Sequence, residues 1–192
     1  FSRASTATRV NAEGLIEEMP YNLVQQSNTF NDGVWVTGGY GNLPTLTANS
    51  IANPVNGLTN AWTASFAAAG TQGRLLQYFT GLSVGIPYTY SMYVKAGTKT
   101  SVAIYSDTSS SVYNAVFNLS NGTITSTNGV TATIENAGNG WYFLTISNNI
   151  LPSGNGQYGI LTNTGEDGSL YLYGAQLNLG STAKPYFPTT DR

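Results

Sequence analysis

The chain has no cysteine and no histidine, and charged residues make up only 8% of its 192 positions. Without cysteine there is no disulfide framework, no thiolate metal site and no thiol redox chemistry. A chain of this length buries a substantial core without such staples. The absence of histidine excludes Ser-His and Cys-His nucleophile pairs, His-ligated zinc, and the side chain that titrates unperturbed near neutrality. Seven Lys and Arg against nine Asp and Glu leave a formal net charge of −2. The scattered cations form no basic face of the kind that phosphate neutralisation requires, so no nucleic-acid partner is expected. No apolar run reaches the length of a membrane-spanning helix and no signal peptide is visible, so no membrane partner is expected. The chain opens on Phe1, which reads as a fragment or a processed product.

What is present is 22 glycines, 13 tyrosines and an aromatic content of 12%, too high for a disordered chain. Polarity comes from hydroxyls and amides rather than charges, as in extracellular all-β proteins. Residues 1–24 stand apart, because Arg3, Arg9, Glu13, Glu17 and Glu18 crowd charge into the first eighteen positions. Ala12-Glu13-Gly14 offers a turn, and Pro20 stops any helix begun after Leu15. This segment reads as an N-terminal arm or linker, followed by a body over 25–188 and a short tail over 189–192.

The body is a series of strand signals separated by glycine turns. The clearest, 88–95, puts Tyr88, Tyr90, Met92 and Val94 on one face and Thr89, Ser91, Tyr93 and Lys95 on the other. Further strands are expected over 101–106, 113–119, 123–126, 131–135, 141–147, 157–161 and 169–179, with weaker ones over 45–48, 61–67 and 74–80. Asn121-Gly122 suggests a two-residue hairpin turn. Gly174, inside the last strand, marks a bulge or a close backbone approach, after which Ala175, Leu177 and Leu179 alternate inward. Pro185 and Pro188 keep the exit segment extended, so Tyr186 and Phe187 are expected to cap one end. The helix pattern over 65–70 is too short to compete. The fold class is therefore all-β, an antiparallel two-sheet sandwich of jelly-roll type with a short N-terminal arm.

The stretches YTYSMYVKAG (88–97), FNLSNGT (117–123), GNGWYFLTIS (138–147) and SLYLYGAQLNLGSTAKPYFPT (169–189) resemble a domain common in bacteriophage virion proteins. That domain is in turn similar to the jelly-roll carbohydrate-binding modules of glycoside hydrolases. The match runs in order along nearly the whole chain and is least diagnostic over 40–75. The arm FSRASTATRVNAEGLIEE resembles the segment that precedes such domains in tail-fibre, head-fibre and other structural proteins. Phe143, Tyr173 and Asn178 depart from the family's usual Arg, Trp and Glu, the last weakening any metal or charge role there. The resemblance implies a domain on the virion surface whose partners are bacterial or mucosal polysaccharide and other virion chains. It implies no cofactor, while leaving open a structural calcium of the kind related jelly rolls often carry. The chain has no D-x-D-x-D-G loop to hold one.

Glycan binding needs an apolar platform for the C–H face of a sugar ring and polar groups at its rim. Tyr93 and Lys95, opposite the core-like side of their strand, are the first candidates. Tyr105, by alternation with Val102 and Ile104, is expected to face the same way, as is Gln77 if Leu76 and Tyr78 point inward. Trp62 and Tyr40, in less regular sequence, would rim the cleft. Trp141 and Trp35 read as packing anchors. For hydrolysis two carboxylates must flank the bond. The adjacent pairs Glu17-Glu18 and Glu166-Asp167 fall in an arm and a turn, where carboxylates are ordinarily solvated, so no catalytic residue is expected. The reading is a non-catalytic glycan-binding module. The alternative is a structural, decoration or oligomerisation domain without a sugar ligand, and a polysaccharide depolymerase fragment comes a distant third.

Overall fold

The structure, a computed structural model, describes residues 8–10, 14–18, 21–67, 71–108, 111–148, 154–163 and 165–190. Within them the chain forms β1 (Thr8–Val10), β2 (Ile16–Glu18), β3 (Thr45–Ala52), β4 (Thr59–Phe66), β5 (Arg74–Thr80), β6 (Tyr88–Ala96), β7 (Ser101–Thr108), β8 (Ser111–Asn118), β9 (Thr123–Asn128), β10 (Thr131–Gly138), β11 (Trp141–Asn148), β12 (Asn155–Leu161) and β13 (Gly168–Leu179). β1 and β2 pair only with each other. The rest build a six-stranded sheet, β10-β11-β6-β13-β4-β3, and a five-stranded sheet, β5-β12-β7-β8-β9. Neighbouring strands are antiparallel throughout. This is the all-β jelly-roll sandwich that the strand spacing announces. Ala12, Glu13 and Pro20, where a turn and a stop are expected, lie outside the described residues, as do 68–70 of the short helix pattern and 191–192 of the tail.

Strict alternation explains where the core sits. Tyr88, Tyr90, Met92 and Val94 of β6 point between the sheets, as do Leu144 and Ile146 of β11 and Leu170 and Leu172 of β13. From the other sheet Val102 and Ile104, Ala115 and Phe117, and Tyr158 and Ile160 meet them. Each fully buried aliphatic side chain contributes about 1.5–3 kcal/mol relative to exposure. Tyr90 and Tyr158 stack across the layer with ring centroids 6.0 Å apart. Trp35, Phe30 and Val24 close one side of this core from irregular segments.

β13 changes phase at Gly174. The register to β6 slips between Tyr173 and Gln176, and Gly174 takes φ +65 with Tyr93 so near that a Cβ would lie 3.2 Å from its ring. The bulge lets Leu172 and Ala175 both face the core although they are three residues apart.

Both flanking segments lie along the sandwich. The backbone of Leu23 bonds to Leu177, and Gln26 and Ser27 bond to Thr190 and Thr189. Asn22, 4% exposed, donates to the carbonyl of Ala175 and accepts from the amide of Leu177. Gln176 and Asn178, fully buried, fasten the exit segment. Gln176 donates to Lys184 O at 2.8 Å and accepts from Phe187 N at 2.9 Å, while Asn178 donates to Thr182 O at 2.9 Å.

Three local expectations are corrected. The loop after β8 has four residues rather than two, because Asn118 pairs with Thr123 and only Gly122 in it takes positive φ. On β5 the inward residues are Leu75 and Phe79, so Gln77 shares their side while Leu76 and Tyr78 face outward. Tyr186 does not cap an end. It lies on the outer face of the six-stranded sheet against Tyr173, ring centroids 5.7 Å apart, and Phe187 stays 39% exposed.

Candidate functional site

A strand's outward positions are fixed once its inward ones are known. Because Val102 and Ile104 enter the core, Ala103, Tyr105 and Asp107 of β7 face out of the five-stranded sheet. Pairing places Asp107 opposite Gln157 of β12, and Gln157 opposite Tyr78 of β5. These three stand in one row across the sheet, with Tyr78 and Asp107 about 10 Å apart from the strand spacing. With Asn155 they line a cleft of about 320 Å³. Tyr78 is 57% exposed and offers an open ring face.

One row further along, Tyr105 donates its hydroxyl to Asp107 at 2.9 Å. Burial, together with that hydrogen bond, pushes the Tyr105 phenol up to about 12. It therefore stays protonated and holds the Asp107 carboxylate in place across the neutral range. The guanidinium of Arg74 lies between two rings, 5.2 Å from the centroid of Tyr105 and 5.8 Å from that of Tyr40. Gln72 accepts from its Nε and Nη2 at 3.2 and 2.7 Å, so the cation is held from a third side. Tyr40 arrives on a segment that bridges to the β5 side at Val36–Leu76 and Asn42–Gly73. Gly38 of that segment sits over Gln157, where a Cβ would fall 2.3 Å from its Oε1, and takes φ +69. A side chain there would be strained at that φ and would have to displace the Gln157 amide.

The sequence candidates thus divide. Tyr40 and Tyr105 come together on the five-stranded face, joined through Arg74. Tyr93 and Lys95 lie on the outer face of the six-stranded sheet, on the opposite side of the sandwich. Tyr93 packs on Phe143 with centroids 4.7 Å apart, and Lys95 donates to the carbonyl of Asn139 at 2.7 Å. The expectation that Tyr105 shares the face of Tyr93 is overturned, because β6 and β7 belong to different sheets.

Trp62 and Gln77 leave the site altogether. Trp62 is 7% exposed within the main core on β4, its indole donating to Asn28 O at 2.7 Å and its ring edge-on to Phe30. Its inward register on β4, between the exposed Thr59 and Ser65, outweighs the loop-like composition around it. Gln77 is 3% exposed and bonds through both side-chain ends to the backbone of Gln25. Trp141 and Trp35 are packing anchors as expected, 2% and 3% exposed.

Tyr78, Arg74, Asp107, Asn155 and Gln157 escape the sequence reading. The signal that finds the first two is the adjacent Leu75-Leu76. Two buried neighbours mean that both faces of β5 are covered, and Leu76 belongs to a small outer cluster with Ala103, Tyr105 and Leu161.

Acidic groups are dispersed. Asp107 is the carboxylate of the cleft. Glu166 is bound 2.7 Å from the Lys99 ammonium, and hydrogen bonds from Lys99 and Asn163 hold its carboxyl below the usual range. Among the described residues no group of three or more Asp or Glu is placed to hold a metal ion.

The fold and this outer cleft place the chain in the class of antiparallel jelly-roll sandwiches with an aromatic and amide-lined surface. Among the solved structures that share that fold are the following two. One is the enzymatically active domain of tailspike protein 4 of bacteriophage CBA120, 13% identical with a TM-score of 0.51 over 82% of this chain. This chain corresponds to 21% of that one, about a fifth of its length. The other is TmCBM61 in complex with β-1,4-galactotriose, 10% identical with a TM-score of 0.50, covering 83% of this chain and 99% of that one. No protein-family model and no curated protein sequence matches the chain.

Proposed function

We propose that the chain is a non-catalytic glycan-binding module of a phage virion structural protein, attaching the particle to bacterial or mucosal polysaccharide through the cleft on the five-stranded sheet. The carrying observation is the row Tyr78, Gln157, Asp107, with Arg74 fixed beside it between Tyr40 and Tyr105. An exposed ring receives the C–H face of a pyranose, and an amide and a carboxylate held on rigid strands meet its hydroxyls. The row is longer than one ring, which suits an oligosaccharide. The fold shared with a tailspike domain and with a module solved on galactotriose supports the reading. Among the described residues Asp107 is the carboxylate that lines the cleft, where glycoside hydrolysis uses two about 5–10 Å apart. Weak binding by one module would be raised by multivalent display on a particle.

Titration calorimetry with β-1,4-galactotriose, alongside an array of bacterial and mucosal polysaccharides, tests this. Tyr78→Ala is expected to weaken the best ligand about tenfold, a loss of about 1.4 kcal/mol, while leaving the melting temperature nearly unchanged. Undiminished binding by both Tyr78→Ala and Asp107→Asn would remove the cleft from the assignment. Silence across the whole array would remove polysaccharide attachment as the role of the cleft.

A second reading, a structural or oligomerisation domain, is favoured by the β1–β2 hairpin, which exposes Val10, Leu15 and Ile16 at 66%, 61% and 76%. Self-association in sedimentation velocity that Ile16→Ser abolishes would support it.

A further inference from the structure

A second groove, about 510 Å³, lies on the other side of the sandwich, between the β10–β11–β6 face and the exit segment. Its floor follows from register. Thr133 pairs with Thr145 and Thr131 with Ser147, while Glu135 pairs with Phe143, which pairs with Tyr93. Hydroxyls therefore fill one half of the floor and aromatic rings the other. The wall is the segment carrying Lys184 and Tyr186, held by the buried amides of Gln176 and Asn178 and by the hydrogen bond of 2.9 Å between the Tyr186 and Ser27 hydroxyls. Neither side needs to move for the groove to exist.

Two hydroxyls beneath this face have no partner among the described residues. Ser147, 4% exposed, lines the groove, and Ser91, fully buried, is paired in register with Thr145 beside it. Both oxygens are sealed beneath the floor, so the hydroxyls presented to an occupant are those of Thr131 and of Thr133, which shares a hydrogen bond of 2.8 Å with Thr145 and keeps capacity for another. Burial, with the Glu135 carboxylate nearby, raises the Tyr93 phenol and keeps it a donor. The lining joins one carboxylate and one ammonium, so it favours no net charge in its ligand.

We infer that this groove is a second, independent carbohydrate site, taking one or two neutral sugar residues whose C–H faces meet Tyr93 and Phe143 and whose hydroxyls meet Thr131, Thr133 and Thr145. Two sheets packed about 10 Å apart separate it from the Tyr78 cleft, with a layer of side chains added on each side. One short oligosaccharide cannot reach both. Together with the Tyr78 cleft, on which this one consequence rests, a single module grips two polysaccharide strands and cross-links them. The inference does not depend on the Tyr78 cleft, and the two fail separately.

The test is methyl and aromatic NMR of the whole chain titrated with galactose, glucose, N-acetylglucosamine and galacturonate, each to high millimolar concentration. At least one neutral sugar should shift the Thr133 and Thr145 methyls and the Phe143 ring. Tyr78→Ala should leave those shifts intact. Thr133→Val keeps the side chain's shape, removes an exposed floor hydroxyl, and should weaken the groove at least about fivefold. The inference is overturned if no neutral sugar moves these signals, if galacturonate alone does, or if Tyr78→Ala abolishes the shifts. It also falls if Thr133→Val leaves the affinity unchanged, which would mean that the hydroxyl serves only Thr145 and water.

Discussion

Tyr90 carries a phenol at the centre of the sandwich whose hydroxyl has no partner among the described residues, and burial drives its pKa far above the ordinary value. Tyr90→Phe keeps the ring and removes the unpaired group. Urea denaturation should find the variant as stable as the parent or more stable by about 1 kcal/mol. Tyr158 and Tyr186 are also raised by burial, and Tyr105 reaches about 12. These phenols keep their protons in the folded state where the unfolded chain loses them, near pH 10. Their contribution is thus complete below that value and lost as pH rises through the folded values. A near-ultraviolet phenolate titration should resolve a class that ionises only with unfolding, and stability should decline above about pH 10. Trp62 belongs at this scale too. Trp62→Ala should cost about 3–5 kcal/mol by opening a core cavity, where Tyr78→Ala costs affinity instead.

Among the elements, β13 does the most. Its bulge rotates Gln176 and Asn178 outward, and their amides fasten the exit segment that walls the second groove. Gly174→Ala places a Cβ at positive φ against Tyr93, so a loss of about 1–2 kcal/mol is expected on thermal denaturation, with the Tyr93 ring displaced. Gln176→Ala should cost about 1–3 kcal/mol and open 181–190 to limited proteolysis. Strands were the most legible feature of the chain, because period-two alternation with glycine boundaries has few other solutions. β6 reads correctly residue by residue, and the bulge was visible as a glycine inside an otherwise regular run. β5 failed because Leu75 and Leu76 are both buried, one in each of two clusters, so alternation gives no sign of which face is inner. Trp62 misled for a related reason: Thr, Ser and Ala around it look like loop, while the packing that decides its place comes from Asn28 and Phe30, distant in sequence.

At the scale of the molecule, alternation separates inside from outside and is silent about which of two sheets a strand joins. Tyr93 and Tyr105 were therefore legible as outward residues and not as residents of opposite faces. The Tyr40–Arg74–Tyr105 assembly was illegible because its parts come from three separate stretches and meet only through the crossover at Gly38. The hydrogen bonds from Gln26 and Ser27 to Thr190 and Thr189 also make the incoming and outgoing chain neighbours. Joining residue 190 to residue 21 by a glycine linker long enough to run back past 21–26, so that Asn22 and Val24 are kept, and cutting at Gly129, between β9 and β10, should give a circular permutant that folds and keeps its ligands. Near-ultraviolet circular dichroism and titration of the permutant check this. A module with its doorway and its exit side by side can be spliced into a loop of a host polypeptide as a cartridge, with neither the host nor the cartridge prised apart.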